Sequence, residues 1–209
     1  MNSYSQHGED RFIFDFIEKK DKGVYIDIGA GMPKHISNTY MLYELGWRGL
    51  LIEPCPLLTL LLRKDRPDDE IYEGAVLDRE GTVDIVTKGH FAVTKDSWIY
   101  ETHKATAKAD GHPIFEFTVP CTTLPKLLEK LDKPELWEPD FISIDIDGNE
   151  GALLSTVDFN KFKPKLILIE TGLRQTDQRD KWGHYLTPYY YIVKETGSDA
   201  FYLRKKEKK

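Results

Sequence analysis

Short apolar runs alternate along this chain with longer segments in which apolar residues recur every three or four positions. A short continuous apolar run is typical of a strand buried on both faces, whereas recurrence every three or four positions is typical of an amphipathic helix. The pattern therefore predicts strands over residues 24–28, 47–53, 71–77, 82–87, 114–119, 140–144, 165–170, 189–196 and 199–204.

The amphipathic segments predict helices over residues 5–20, 40–45, 56–66 and 124–131. Strands that alternate with helices are typical of an α/β fold with a mostly parallel sheet. The last two strands are joined by Gly197-Ser198 and predict an antiparallel hairpin at the sheet edge. Residues 88–113 show no clear period, and a long connection of this kind predicts a substrate loop or lid.

Length and charge narrow the class of protein. The 209 residues suit a single domain spanning 1–209. The formal net charge of −6 gives no reason to expect nucleic acid as a partner. The acidic residues among the first twenty exclude a secretory signal, and no apolar run is long enough for a membrane span. We therefore expect a cytoplasmic protein with no membrane span and no nucleic-acid partner.

The first predicted strand contains Asp27 and is followed at once by Gly29 and Gly31. Glycines in this position let the chain turn tightly and bring its backbone close to a ligand. Nucleotide-type crevices open in this way at the carboxyl ends of parallel strands. Taken alone, the pattern fits both such a crevice and an ordinary glycine turn.

The second predicted strand also ends in an acid, Glu53, which lies 26 positions after Asp27. In nucleotide sites built from βαβ units, an acid about 20 residues after the glycine turn binds ribose hydroxyls. Ser37 or Asn38 is expected to cap the intervening helix, so that its free N–H groups point towards the glycine turn. We predict that Glu53 binds a ribose, the alternative being a surface acid without a ligand. The small residues Gly74 and Ala75 would let a flat base lie against the backbone.

A second cluster of acids follows the strand that begins at residue 140. Asp145, Asp147 and Glu150 lie within six residues, and the next strand ends in Glu170. Mutual repulsion and desolvation disfavour a cluster of acids that has no compensating group, so this cluster needs a proton, a cation or an amine nearby. The alternative is an ordinary turn with solvated acids.

Six motifs occur in a characteristic order: Ser5-Gln6-x-Gly8-Glu9-Asp10, Asp27-Ile28-Gly29-Ala30, Ser37-Asn38-Thr39, Gly46-Trp47-x-Gly49, Ile52-Glu53-Pro54 and Ile144-Asp145-Ile146-Asp147-Gly148-Asn149-Glu150. Together they resemble the FkbM family of class I S-adenosylmethionine (SAM) methyltransferases. The resemblance implies a Rossmann-like fold with a mostly parallel seven-stranded sheet, helices on both faces and a C-terminal antiparallel hairpin. It also implies O-methylation of sugars, polysaccharide units or polyketide hydroxyls. Asp147 stands where the family commonly has Glu, which shortens that side chain by one methylene.

The resemblance further implies where SAM would bind. The glycine turn with Asp27 would surround the carboxypropyl part, Glu53 would hold the ribose, and Ala75 and Val76 would lie near the adenine. The full set of expected cofactor residues is Asp27, Gly29, Ala30, Gly31, Ser37, Asn38, Glu53, Pro54, Ala75, Val76 and Asp145.

Methyl transfer to a hydroxyl requires in-line positioning and a base. The candidate bases are Asp145, Asp147, His35 and His184. In an alternative arrangement, Mg²⁺ or another divalent cation between Asp145 and Glu170 would lower the pKa of the hydroxyl. The residues expected to contact the acceptor are Gln6, His7, Glu9, Asp10, Glu150, Trp98, Tyr100 and Trp182.

We expect a sugar or glycan acceptor, for example a deoxyhexose such as rhamnose or fucose, and an association with glycosyltransferases. An NAD-linked sugar oxidoreductase is one alternative, since it shares the glycine turn and the ribose acid. It should carry a third glycine where this chain has Lys34, and a Tyr-x-x-x-Lys pair. A SAM-binding accessory domain without activity is another alternative, although it should have lost the strand-end acids. The sequence predicts no oligomeric state.

Overall fold

The computed structural model describes residues 2–17, 20–88, 91–111, 113–172 and 179–206. Within these residues the strands are β1 (Val24–Ile28), β2 (Arg48–Glu53), β3 (Glu70–Glu73), β4 (Ala75–Val76), β5 (Gly81–Lys88), β6 (Phe91–Thr94), β7 (Ile114–Thr122), β8 (Phe141–Ile144), β9 (Leu166–Glu170), β10 (Tyr190–Glu195) and β11 (Asp199–Arg204). The helices are α1 (Glu9–Phe16), α2 (Tyr40–Glu44), α3 (Pro56–Asp65), α4 (Tyr100–Ala109), α5 (Leu124–Leu131), α6 (Glu150–Leu154) and α7 (Arg179–Leu186), with a 3-10 helix at Pro134–Trp137.

Seven strands form the main sheet in the order β10-β11-β9-β8-β1-β2-β3. β1 pairs in parallel with β2 and β8, and the parallel pairing continues to β3 on one side and β9 on the other. The predicted Rossmann-like, mostly parallel sheet with a C-terminal antiparallel hairpin is confirmed. The hairpin joins the sheet through its second strand, because β11 lies between β9 and β10 and leaves β10 at the edge. Asp199, which begins β11, therefore lies opposite Glu170, which ends β9.

The predicted third strand, residues 71–77, is divided between two sheets. β3 ends at Glu73, whereas β4 pairs with β7 in a second sheet of order β4-β7-β5-β6. Gly74 connects the two, and a Cβ at this position would lie 2.8 Å from the Pro120 carbonyl oxygen. The chain can approach the second sheet this closely only with glycine, and the strand-like pattern of residues 71–77 does not reveal the change of sheet.

Residues 88–113 are more regular than their polarity predicts. β6 pairs antiparallel with β5, and α4 packs on the same sheet while burying only Ala107. A helix that buries one residue shows no apolar period in its sequence, so the expectation of an irregular segment is wrong for 91–94 and 100–109. Residues 89–90 and 112 of this segment lie outside the described residues. Its role as a substrate lid stays a prediction.

Helices cover both faces of the main sheet, as predicted. On one face, Ile26 and Ile28 of β1 pack with apolar residues of α5, α6 and α7. On the other face, Tyr25 packs with residues of α1, α2 and α3 that include Ile13 and Leu42. Because side chains of a strand alternate between its faces, each central strand contributes to both layers, which accounts for the continuous apolar runs. Among the described residues, no helix has the length and apolar character needed to cross a membrane.

The first helix is shorter than the predicted range 5–20 because the residues before it wrap around Asp10. α1 begins at Glu9. Ser3 Oγ donates a hydrogen bond to Asp10 Oδ1 at 2.6 Å, and the Tyr4 N–H donates to Oδ2 at 2.6 Å. Asp10 is 0% exposed. It therefore fixes the N-terminal loop, and the prediction that it contacts the acceptor is wrong.

Candidate functional site

The carboxyl ends of β1, β2, β8 and β9 meet at one cavity of about 230 Å³. Ligands of α/β folds bind in such crevices, beyond the carboxyl ends of the strands. The second sheet contributes Ile85, Ala92 and Thr94 to the wall. The predicted site residues that line the cavity are Gln6, Glu9, Gly29, Ala30, Gly31, His35, Asn38, Glu53, Pro54, Ala75, Val76, Asp145, Asp147 and Glu170.

The glycine turn after β1 lies against the end of β8. Gly29 has a φ of 79°, and a Cβ at this position would overlap the carbonyl oxygen of Asp145. The N–H groups of Gly29 and Ala30 both donate to the Ile52 carbonyl, at 2.9 and 3.1 Å. The turn is thereby fixed between the ends of β2 and β8 and presents bare backbone to the cavity.

Glu53, at the end of β2, is held by two backbone N–H groups. Gly31 N donates to Oε2 and Cys55 N donates to Oε1, each at 2.8 Å. Glu53 is 3% exposed, and burial raises its pKa to about 7 despite these two hydrogen bonds. Each carboxylate oxygen accepts more than one hydrogen bond, so the fixed carboxylate can still accept bonds from a ligand in the cavity.

Asp27 and Ser37 lie behind the cavity wall, although the resemblance implies that both contact the cofactor. Thr39 Oγ1 donates to Asp27 Oδ2 at 2.6 Å, and Arg66 in turn donates to Thr39 Oγ1 at 2.9 Å. Burial raises the pKa of Asp27, and the Arg66 charge opposes that rise. Ser37 Oγ accepts the Tyr40 N–H at 3.1 Å, but the residue that caps α2 is Thr39, so the prediction that Ser37 or Asn38 is the cap is wrong. Both side chains support the turn from outside the cavity.

Three carboxylates converge at the ends of β8 and β9. Asp145, Asp147 and Glu170 each place one carboxylate oxygen within 4.8 Å of the others. Enclosure by protein raises the pKa of Asp147 to about 6, and burial together with the neighbouring carboxylates raises that of Glu170 to about 8. Desolvation and the charges of Glu170 and Asp147 raise the pKa of Asp145 well above its usual value.

The Asp145 side chain is open to the cavity, so water reaches it. We therefore attribute its raised pKa mainly to repulsion from the Glu170 and Asp147 carboxylates. Three carboxylates this close cannot all be ionised without a compensating charge. The arrangement therefore needs a shared proton or a compensating positive charge, and which of the predicted partners supplies it, a proton, a cation or an amine, stays a prediction.

The loop that carries Asp147 is held on both sides. Asp147 has a φ of 50°, a left-handed conformation that Asp tolerates better than most residues. Glu150 Oε1 accepts the N–H groups of Ile146 and Gly148 at 3.2 and 3.3 Å. Ser97 Oγ donates to the Asp147 carbonyl at 2.7 Å. Glu150 holds this loop and, unlike Glu53, does not line the cavity, so the prediction that it contacts the acceptor is wrong.

Two residues of α7 that were predicted to lie in the site, Trp182 and His184, do not line the cavity. Trp182 is 2% exposed and packs in the core against Tyr202, so the prediction that it stacks on a sugar is wrong. His184, two residues later, faces outward and contacts Tyr185, with ring centroids 4.0 Å apart. His184 does not line the cavity, which removes it as a base in this conformation. His35 does line the cavity.

The remaining predicted acceptor residues are not cavity residues. His7 is exposed, and Trp98 is 48% exposed beside Gly148. The Tyr-x-x-x-Lys spacing expected of an oxidoreductase occurs three times, although sequence reasoning missed it: at Tyr100/Lys104, Tyr190/Lys194 and Tyr202/Lys206. Lys104 Nζ donates to the Tyr100 hydroxyl at 3.4 Å on α4. None of these residues lines the cavity, so the spacing does not support the oxidoreductase alternative.

Sequence reasoning also missed several cavity residues. Asp199 and Ser198 line the wall next to Glu170 because β11 lies beside β9. Asn149 also lines it, and accepts a hydrogen bond from Thr94 Oγ1 at 3.3 Å. For Asp199, the only available signal was an acid at the start of a strand, which becomes informative once the strand order is known.

Comparisons with solved structures identify methyltransferases of similar fold. A TehB-like SAM-dependent methyltransferase from Corynebacterium glutamicum is 12% identical, with a TM-score of 0.48 over 95% of this chain and 88% of that chain. A methyltransferase from Geobacter sulfurreducens is 13% identical, with a TM-score of 0.48 over 93% and 77%. A precorrin-6Y C5,15-methyltransferase from Geobacter metallireducens is 13% identical, with a TM-score of 0.48 over 97% and 90%.

Comparison with the curated proteins gave no significant match. Comparison with protein families gave a match over residues 27–194, to the family described as the methyltransferase FkbM domain. The match spans β1 to β10 and contains most of the residues that line the cavity.

Proposed function

This chain belongs to the FkbM methyltransferase family, and we propose that it transfers a methyl group from SAM to a hydroxyl of a sugar or glycan. The observation that carries the proposal is the cavity itself, with a fixed Glu53 carboxylate at the end of β2 and a cluster of carboxylates at the ends of β8 and β9. The Glu53 carboxylate suits a ribose, and the carboxylate cluster suits removal of a hydroxyl proton. Cytoplasmic location and association with glycosyltransferases belong to the same proposal.

The cavity residues fit SAM. Gly29 and Gly31 present backbone without side chains, and a Cβ at Gly29 would meet the end of β8. Glu53 offers a fixed carboxylate to the ribose hydroxyls, and Ala75 and Val76 offer a small apolar surface to the adenine. SAM supplies an electrophilic methyl group on a sulfonium when bound.

The acceptor hydroxyl needs a base, because an alcohol is a poor nucleophile until its proton leaves. We assign this role to Asp147, which lines the cavity and whose pKa of about 6 leaves it ionised at neutral pH. Asp145 is less suitable because it shares a hydrogen bond with Glu170. His35 is the remaining candidate that lines the cavity.

The first prediction concerns cofactor binding. Glu53→Ala should weaken SAM binding by about 10- to 100-fold, since hydrogen bonds to a charged group each contribute about 1.5–3 kcal/mol. Glu73→Ala is a matched control, because Glu73 ends the neighbouring strand β3 in register with Glu53 and does not line the cavity. Calorimetry with SAM measures both variants. Heat with NAD but none with SAM would support the oxidoreductase instead.

The carboxylate cluster also has the composition of a divalent cation site. Asp145, Asp147 and Glu170 are oxygen ligands of the kind that Mg²⁺ prefers. A cation there would orient the acceptor and lower the pKa of its hydroxyl. We expect turnover to be unchanged after dialysis against a chelator, because a shared proton already satisfies the cluster. Loss of turnover that Mg²⁺ restores would assign the role to the cation and make Asp147 a ligand.

A methyl-transfer assay tests the function as a whole. We expect at least one member of a panel of mono- and oligosaccharides, including deoxyhexoses, to gain the mass of one methylene in the presence of SAM. SAM binding without transfer to any member would support the accessory domain. The absence of both SAM binding and a thermal shift would contradict the proposed function.

A further inference from the structure

One end of the cavity is rich in carboxylates. Six carboxylates line the cavity, and none of its lining residues in the described ranges is Lys or Arg. Glu53 belongs to the proposed ribose site. The acidic end consists of the other five: Glu9, Asp145, Asp147, Glu170 and Asp199. Such a surface repels anionic acceptors and attracts cations.

The side chain of Glu9 gives independent evidence that the acidic end of the cavity binds a ligand. Its side chain is 1% exposed, and its Oε2 accepts the His7 N–H at 2.7 Å. Its other oxygen, Oε1, is buried and has no hydrogen-bond partner in the part of the chain that the structure describes. A buried unsatisfied polar group costs about 1–3 kcal/mol, and more when it is charged. A ligand that donates to Oε1 would remove this cost.

Asp199 is the neighbouring carboxylate of Glu9. Asp199 Oδ2 accepts hydrogen bonds from the hydroxyls of Thr196 and Ser198, at 3.2 and 3.3 Å. Burial and the Glu9 charge raise the pKa of Asp199, and His7 lowers it. The two hydroxyl partners are neutral, and the positive charge that acts on Asp199 comes from the exposed side chain of His7. Glu9 Oε1 still lacks a donor among the described residues, so the partner that would complete this pair is a hydrogen-bond donor that carries positive charge.

We propose that the acceptor carries an ammonium group, as an amino sugar or an amine-bearing glycan does, and that this group binds between Glu9 and Asp199. The inference rests on the proposed function and specifies its substrate class. An ammonium has three donors and no acceptor, so it can bond Glu9 Oε1 and Asp199 together. A phosphate-linked sugar or a uronic acid would bring a like charge to the same place and is disfavoured.

The ammonium is an anchor and not the methylated atom. Carboxylates beside an amine favour its protonated form, and a protonated amine has no lone pair with which to attack. A hydroxyl oxygen of the same acceptor forms the new bond to the methyl carbon while the carbon–sulfur bond breaks. The electron pair of that bond stays on sulfur to give S-adenosylhomocysteine, and the hydroxyl proton passes to Asp147.

Calorimetry on the full chain tests the anchor without turnover. The protein is dialysed against a chelator and saturated with S-adenosylhomocysteine at pH 7, and D-glucosamine, N-acetyl-D-glucosamine and D-glucose are titrated in turn. We expect D-glucosamine to bind about 10-fold more tightly than the two neutral sugars, which corresponds to one favourable charged contact.

The variants assign this preference to the two residues. Glu9→Gln and Asp199→Asn keep side-chain shape and should each remove most of the preference for D-glucosamine. Glu101→Gln, on the exposed face of α4, should keep it. Thermal unfolding identifies any variant that fails to fold, and the other then carries the test. Equal binding of all three sugars, or a preference that both folded variants retain, would overturn the inference.

The failure of this inference can be distinguished from failure of the proposed function. Methyl transfer to neutral sugars without a preference for amines would contradict the ammonium anchor alone. An absence of S-adenosylhomocysteine binding would contradict the proposed function. Methyl incorporation at nitrogen, detected by mass fragmentation of the product, would contradict the assignment of the ammonium as an anchor.

Discussion

Replacing Gly29 with alanine should lower the free energy of unfolding by more than about 4 kcal/mol, a loss that few single substitutions reach. Two effects combine at this position. The φ of 79° costs a residue with a Cβ about 1–2 kcal/mol. The added Cβ would also overlap the Asp145 carbonyl and lie 2.9 Å from its carbon, and these backbone atoms cannot rotate away as a side chain could. The ends of β1 and β8 would have to separate.

Gly111→Ala is the matched control for Gly29→Ala. Gly111 has a φ of 68°, and a Cβ at this position would have no atom within 4 Å, so the substitution carries the conformational cost without the overlap. We expect it to lose only about 1–2 kcal/mol. Chemical denaturation measures both variants, and calorimetry with S-adenosylhomocysteine shows whether the cavity survives. Similar losses in the two variants would show that the contact with Asp145 does not matter.

The sequence predicts the strand-end acids of the cavity well, for a general reason. Glu53, Asp145 and Glu170 each lie at or next to the end of a parallel strand, and such ends share one edge of the sheet however the helices pack. The glycine turn belongs to the same edge. Local sequence is therefore enough to bring these groups together.

Asp199 could not be predicted as a cavity residue from local sequence. Its place in the cavity depends on β11 pairing with β9, which brings it opposite Glu170. A hairpin can join a sheet through either of its strands, and the choice depends on packing over the whole sheet. The division of residues 71–77 between two sheets at Gly74 has a similar long-range cause.

Side-chain direction on short polar helices was the other source of error. α7 buries Trp182 in the core and exposes His184, whereas we predicted that both would contact ligands in the site. Trp182, Tyr185 and Leu186 have the i, i+3, i+4 spacing of an apolar helix face and pack in the core, a signal that sequence reasoning missed. The prediction that Glu150 contacts the acceptor failed for a different reason. Its carboxylate accepts backbone N–H groups, and in the sequence such an acid looks the same as one that contacts a ligand.

Asp147→Asn should lower kcat by about 10²–10⁴-fold, the range expected for loss of a general base. An amide cannot accept the hydroxyl proton, but it has nearly the same shape as the carboxylate. Asn also tolerates the left-handed conformation in which Asp147 is held, at a φ of 50°. The substitution therefore changes the chemistry with little change in geometry, and KM for SAM should stay within about threefold of its original value.

A pH profile and a matched variant separate this role of Asp147 from a structural one. Because the pKa of Asp147 is about 6, it is protonated in more acidic solution, so kcat should fall as the pH decreases below about 6; the variant should lack this inflection. Asp132→Asn makes the same change at a φ of 51° at the end of α5 and should keep full activity. His35 also lines the cavity and is the other candidate base. If Asp147→Asn keeps most of its turnover while His35→Gln loses it, the base is His35 and not Asp147.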